Sequence, residues 1–266
     1  MKRRVFVSSL AVLATLGVLL AVTFGQPDAG EHPYVGAILF RVGTAWYSCS
    51  GTLISSTAVL TAGHCVETAD KLNYETWVNF TETITLPGAG GLAAYLSNPA
   101  NGWIKASTVV PHPQYSDYAQ FPRTYDIGVV ILPQPVTGIN TFGVLPTEDF
   151  LRTVTNKRGD NQFTVVGYGM QGYIRPFYSD VFSRYKGKVR LIELNSTFNG
   201  GQSAKFTSNP GQGGGSCFGD SGGPIFYGNT NMVVALVSWG ITPCIGVSYE
   251  FRTDTEVALE FLAPYR

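Results

Sequence analysis

Charge is scarce in this sequence. Lys, Arg, Asp and Glu make up 14% of its 266 residues, and 18 basic side chains balance 18 acidic ones, so no formal net charge remains. A protein that grips nucleic acid needs clustered Lys and Arg against phosphate, and this balance excludes a dedicated nucleic-acid binder. Low charge combined with 44% hydrophobic residues also excludes a disordered chain. Histidine is rarer still, at His32, His64 and His112, and cysteine occurs four times. Three histidines without ligand spacing offer no metal site, and neither a metal nor any other cofactor is expected.

Long apolar runs are absent after the start of the chain. There, Lys2, Arg3 and Arg4 precede an uncharged stretch from Val5 to Phe24. A basic segment followed by an apolar one reads as a secretory signal peptide, assigned to residues 1–25, with cleavage between Ala21 and Gly30. The rival is a retained anchor, since about twenty apolar residues can just span a bilayer. Only in that case is a membrane expected as a partner. Export to an extracellular or periplasmic space gives the cysteines a meaning, because two sequence-local pairs in an oxidising compartment point to disulfides.

The remainder reads as short strands rich in Val, Ile, Tyr, Phe and Thr, bounded by Gly, Pro, Asn or Ser. Expected strands include Tyr34–Val42, Gly51–Ile54, Ala58–Thr61, Trp77–Phe80, Ile127–Leu132, Phe163–Tyr168 and Met232–Trp239. This is the pattern of an all-β sandwich or barrel. Helical periodicity enters only at the end. Thr253 with Glu256 has the form of a capping box, and Val257/Phe261 and Ala258/Leu262 are i,i+4 apolar pairs, which predicts a helix at 254–263. The Pro-bearing region Val144–Asp149 is the candidate boundary between two halves.

Three segments carry chemistry: Thr61-Ala62-Gly63-His64-Cys65, Thr124-Tyr125-Asp126-Ile127-Gly128-Val129 and Gly219-Asp220-Ser221-Gly222-Gly223-Pro224. The last fits G-x-S-x-G, also used by the nucleophile elbow of α/β-hydrolases. That fold orders its triad Ser, acid, His, whereas all three histidines here precede Ser221. An Asp, His, Ser order ending in His64 would depend on Asp28 beside the leader. The order His, Asp, Ser remains.

These motifs, with Ser238-Trp239-Gly240, resemble those of the trypsin/chymotrypsin-type serine endopeptidases, and the resemblance runs from about His32 to Leu262. It implies two six-stranded antiparallel β-barrels, with the active site in the cleft between them and a C-terminal helix. The first barrel, residues 31–147, carries the His and Asp; the second, 148–266, carries the Ser. It implies His64 as general base, Asp126 as its orienting partner and Ser221 as nucleophile, a serine hydroxyl being too weak unless a base takes its proton. Backbone N–H groups of Gly219 and Ser221 would form the oxyanion hole, and Ser238 would contact the catalytic aspartate. Cys49 would pair with Cys65, and Cys217 with Cys244. The implied function is a secreted, monomeric enzyme acting on protein or peptide substrates; the alternative is an inactive homologue that only binds.

Specificity follows from the same resemblance. The pocket floor falls on Gly215, where trypsin-like enzymes carry Asp, and Gly240 leaves the wall open. Gly215, Ser216, Ser238, Trp239 and Gly240 together imply a roomy, uncharged pocket for large apolar or aromatic side chains. The register after Cys244 leaves either Gly246 or Ser248 as the second wall residue, and in the latter case Glu250 approaches the pocket and revives basic specificity. Between Arg4 and Arg41 there is no Lys or Arg, so the family's tryptic activation cut has no site. Either leader removal leaves a start such as Val22, or Asp220 finds a partner other than a new amino group. The stretch Gly88–Asn101 has no readable role.

Overall fold

The computed structural model of the chain describes residues 22–67, 74–88, 90–116, 121–155, 160–172 and 181–266; most of the leader lies outside them. One sheet holds β2 (Val35–Val42), β3 (Ala45–Leu53), β4 (Ala58–Thr61), β5 (Glu75–Asn79), β6 (Ile104–Lys105), β7 (Thr108–Pro111) and β8 (Gly128–Ile131). Its order is β6-β5-β2-β3-β4-β8-β7. The other holds β9 (Phe163–Gly167), β10 (Tyr185–Val189), β11 (Leu191–Glu193), β12 (Ser203–Ser208), β13 (Pro224–Tyr227), β14 (Val233–Gly240) and β15 (Gly246–Arg252). It also takes a strand from the beginning of the chain, β1 (Gln26–Pro27), giving the order β1-β10-β9-β13-β14-β15-β12-β11. Both sheets are antiparallel and curled, as expected for a double β-barrel.

The apolar core does not stop at the boundary between the sheets. Val35, Ile38, Leu60 and Val129 of the first pack in one cluster with Val166, Phe226, Leu236 and Phe251 of the second. A short C-terminal helix, Glu256–Leu262, buries Ala258 and Leu262 in the same cluster. Its cap is Thr255, whose hydroxyl accepts from the Ala258 N–H; Thr253, expected in that role, instead donates its hydroxyl to the Val233 carbonyl. A second cluster around Phe163, Val165, Phe206 and Ile225 includes the fully buried Val22. The stretch Gly88–Asn101 also gains a role: helix α1 (Leu92–Ser97) buries Leu96 with Trp77 and Trp103 in a third cluster on the flank of the first sheet.

A charged network crosses this interior. Asp28 is fully buried; its carboxylate accepts from the His32 N–H at 2.9 Å and from Arg184 Nε at 2.9 Å, and lies 2.5 Å from His32 Nδ1. Arg184 also donates to the Val35 and Phe80 carbonyls and to the Tyr168 hydroxyl, so one guanidinium joins the N-terminal segment to both sheets. Burial raises the Asp28 carboxyl, but its bonds to His32 and Arg184 outweigh this and hold it down at about 2. Because the folded-state value lies below the ordinary 3.8, the linked stability is present above about pH 4 and is lost as pH falls through about 2. Removing one partner of a buried pair strands the other charge. Arg184→Ala is therefore expected to lower unfolding stability by about 3–5 kcal/mol in denaturant titrations; a loss below about 1 kcal/mol, the range of an exposed pair, would contradict the network's role.

Candidate active site

His64 sits in a single turn of 3-10 helix, Gly63–Cys65, directly after β4. Cys65 is bonded to Cys49 in β3, which pins this turn to the sheet. Asp126 precedes β8, the strand paired with β4, so the ladder delivers both residues to one end of the first barrel. The Asp126 carboxylate accepts from the His64 backbone N–H at 2.9 Å and lies 2.9 and 3.1 Å from His64 Nδ1. The Ser238 hydroxyl, from β14 of the other barrel, donates to Asp126 at 2.5 Å. Burial raises the Asp126 carboxyl, yet the adjacent imidazole and these donors outweigh it and hold it below its ordinary value.

Ser221 lies on the loop before β13 and lines the same cleft as His64 and Gly219. That loop is held from the first barrel by Ser50, which motif reading missed. The Ser50 N–H donates to the Ser221 carbonyl at 2.8 Å, while its hydroxyl donates to the Gly219 carbonyl and accepts from the Tyr168 N–H. Only its position beside Cys49 could have flagged it. Gly219 has φ +94°, and a Cβ there would stand 2.9 Å from the Gly169 Cα, so the backbone that aims these amides requires glycine. Among the described residues neither the Gly219 nor the Ser221 N–H donates a backbone hydrogen bond. Two donors adjoining a nucleophile are what an oxyanion requires.

Beside Ser221 opens a cavity of about 230 Å³. Ser216, Ser238, Trp239 and Gly240 line it as expected; Gly215 does not. A Cβ on Gly215 would lie 2.0 Å from Ser208 Oγ, and Ser208 takes the place on the lining that the sequence reading gave to Gly215. The ladder pairs Gly240 with Ser248 and Trp239 with Tyr249, and of the two candidates Ser248 lines the cavity while Gly246 does not. The Cys217–Cys244 disulfide closes one side. Trp239 stacks on Tyr249 with ring centroids 4.0 Å apart, and Phe121 meets it edge-on.

A model of the trypsin family matches residues 22–261. The chain belongs to the trypsin/chymotrypsin-type serine proteases. A chymotrypsin-like serine proteinase of Haliotis rufescens is 28% identical over 232 residues, spanning 82% of this chain and 80% of that relative. Chymotrypsin of Phaedon cochleariae is also 28% identical, over 80% of this chain and 70% of its own length. Two others are longer: the chain spans 53% of the phenoloxidase-activating enzyme of Bombyx mori (30% identical) and 34% of serine protease Hayan of Drosophila melanogaster (26% identical). The solved structure of HL collagenase aligns with a TM-score of 0.63 at 18% identity, over 88% of this chain and 93% of that one, and speaks to the fold alone. By family and fold the chain is a serine endopeptidase of the hydrolase class.

Asp220, next to Ser221, is fully buried and accepts from the Gly169 and Cys217 N–H groups; among the described residues no cation pairs with it. Burial pushes its carboxyl up to about 7 despite those two donors. A carboxyl raised in the folded state binds its proton more tightly there, so the linked stability is full below about pH 4 and is lost as pH rises through about 7. Asp220→Asn should flatten the decline of unfolding free energy across this window, by up to about 1.4 kcal/mol per pH unit. Equal slopes for the two proteins would assign the decline to other groups.

Proposed function

We propose that the protein is a secreted serine endopeptidase that hydrolyses peptide bonds through His64, Asp126 and Ser221 and an acyl-enzyme intermediate. The observation that carries this reading is the buried Asp126 carboxylate, bonded at once to His64 of one barrel and Ser238 of the other. His64 lines the same cleft as Ser221, and this reading assigns its second ring nitrogen to the Ser221 hydroxyl. That nitrogen takes the Ser221 proton as the hydroxyl attacks the substrate carbonyl, and later returns it to the leaving amine. Asp126 fixes the tautomer and stabilises the imidazolium, while the Gly219 and Ser221 N–H groups receive the developing oxyanion. The cavity walls supplied by Val237, Trp239 and Val247 suit the apolar body of a large side chain on the acyl side of the cleaved bond.

The proposal divides the chain at 147/148 into two barrels and ends the leader within residues 1–25, before Val22. Val22 is buried in the second core and Thr23 bridges Gly215, so removal immediately before Val22 retains both contacts. No helix among the described residues is long and apolar enough to cross a membrane. The enzyme is proposed to act as a monomer on protein or peptide substrates, with no nucleic-acid partner. Labelling of Ser221 by a fluorophosphonate, abolished in Ser221→Ala, is the expected result. Asp126→Asn should lower kcat by about 10⁴-fold by leaving the wrong tautomer. Folded protein that neither labels nor cleaves would favour an inactive homologue that only binds.

A further inference from the structure

Beneath the cavity beside Ser221 lies an acid that the lining does not reveal. Glu250 lies on β15 just beyond a bulge in the ladder, where pairing passes from Trp239↔Tyr249 to Val237↔Glu250. It is fully buried beneath the lining. One carboxylate oxygen accepts from the Ser216 hydroxyl at 3.1 Å, and the other accepts from the Ser238 N–H at 2.9 Å. Ser216 and Ser248 both line the cavity. The Ser248 hydroxyl is buried and closes no hydrogen bond of good geometry, although it lies close enough to favour the charged form of Glu250.

No cation compensates this carboxylate among the described residues. Arg252, two positions along β15, is committed to Asp254 and Asp149. Lys205, on the neighbouring strand β12, sits over the Tyr249 ring and reaches towards Glu193. Beyond Ser238 on β14 lie Asp126 and His64, already bonded to each other. From the serine loop comes Asp220, a charge of the same sign that opposes ionisation. A buried carboxylate without a counter-charge is costly, and glutamine could tie Ser216 to Ser238 without that cost. A hydroxyl that donates inward to Glu250 keeps its lone pairs for an N–H donor arriving from the cavity.

We propose that Glu250 is a specificity-determining residue: its carboxylate, presented through the Ser216 hydroxyl, is the counter-charge for a lysine or arginine side chain in this cavity. The assignment rests on the reading that the cavity holds the residue before the cleaved bond. The aliphatic stem of such a side chain lies along the apolar walls, and its charged tip reaches Ser216 and Ser248. Burial pushes the Glu250 carboxyl up to about 7, so the pocket is neutral in mild acid and negative in mild alkali. Large apolar side chains fit the first state and basic ones the second.

The test compares two peptides that differ only in Lys or Phe before the cleaved bond. The ratio of their kcat/KM values should rise about tenfold or more between about pH 5.5 and pH 8.5, the scale of one hydrogen-bonded charge. A pH effect on catalysis common to both peptides cancels in the ratio, and any part owed to Asp220 alone, which opposes Glu250 ionisation, would persist in Glu250→Gln. In Glu250→Gln the ratio should stay flat, and Ser216→Ala should lower it at the upper pH. A flat ratio in the wild type, or an equal climb in Glu250→Gln, overturns the assignment. Calorimetric binding of benzamidine, an aromatic cation, against benzyl alcohol reads the same pocket without catalysis. If no peptide is cut but benzamidine tightens with pH only when Glu250 is present, the assignment stands and the catalytic reading alone fails. Benzamidine binding that ignores both pH and the substitution overturns it.

Discussion

The Asp126 carboxylate is the point on which the site depends. It binds the backbone and ring of His64 from one barrel and the Ser238 hydroxyl from the other, so the His64 ring is held with both barrels in place. Ser50 performs the reciprocal service, reaching from β3 to fix the carbonyls on either side of Asp220. Orientation of the His64 ring and shape of the Ser221 loop are therefore both properties of the barrel interface. A core that runs without interruption across that interface gives it the rigidity such positioning needs.

Much of this was legible because the triad segments are short and local in sequence. The strands that alternate or run apolar were also readable, and Ala58–Thr61 matches its expected bounds. Other strands escaped because their inward positions are polar: β12 reads Ser-Ala-Lys-Phe-Thr-Ser, and β15 buries Ser248, Glu250 and Arg252. A pattern of hydrophobic periodicity cannot register a strand whose buried face is bonded instead of greasy. The same blindness hid the bulge in β14–β15, which sets whether Gly246 or Ser248 lines the pocket. Asp28 was weighed as a remote triad member; its bonds to His32 and Arg184 depend on partners up to 156 positions away. The assignment of the capping role to Thr253 failed for a similar reason, since the Val233 carbonyl that takes its hydroxyl comes from a distant strand.

The interior holds buried acids of two kinds. Asp28 and Asp126 have close partners, and their carboxyls stay below their ordinary values. Asp220 and Glu250, electrostatic neighbours near the Cys217–Cys244 disulfide, have only neutral donors, and burial carries both up to about 7. The first kind holds the scaffold together at any ordinary pH. The second kind leaves protonation state undecided near neutrality, and it lies close to the cavity beside Ser221.

Strand β1 and Val22 carry a consequence for the order in which the protein is assembled. The sheet that presents Ser221 draws its outermost strand and part of its core from the start of the chain, whereas its remaining strands come from beyond Phe163. During synthesis that first segment must wait, unpaired, while the whole of the other barrel emerges. A genetic split between the halves would separate the second barrel from a piece of its own wall. The two barrels are thus distinct in architecture but not in sequence, and neither half of the gene encodes a closed module.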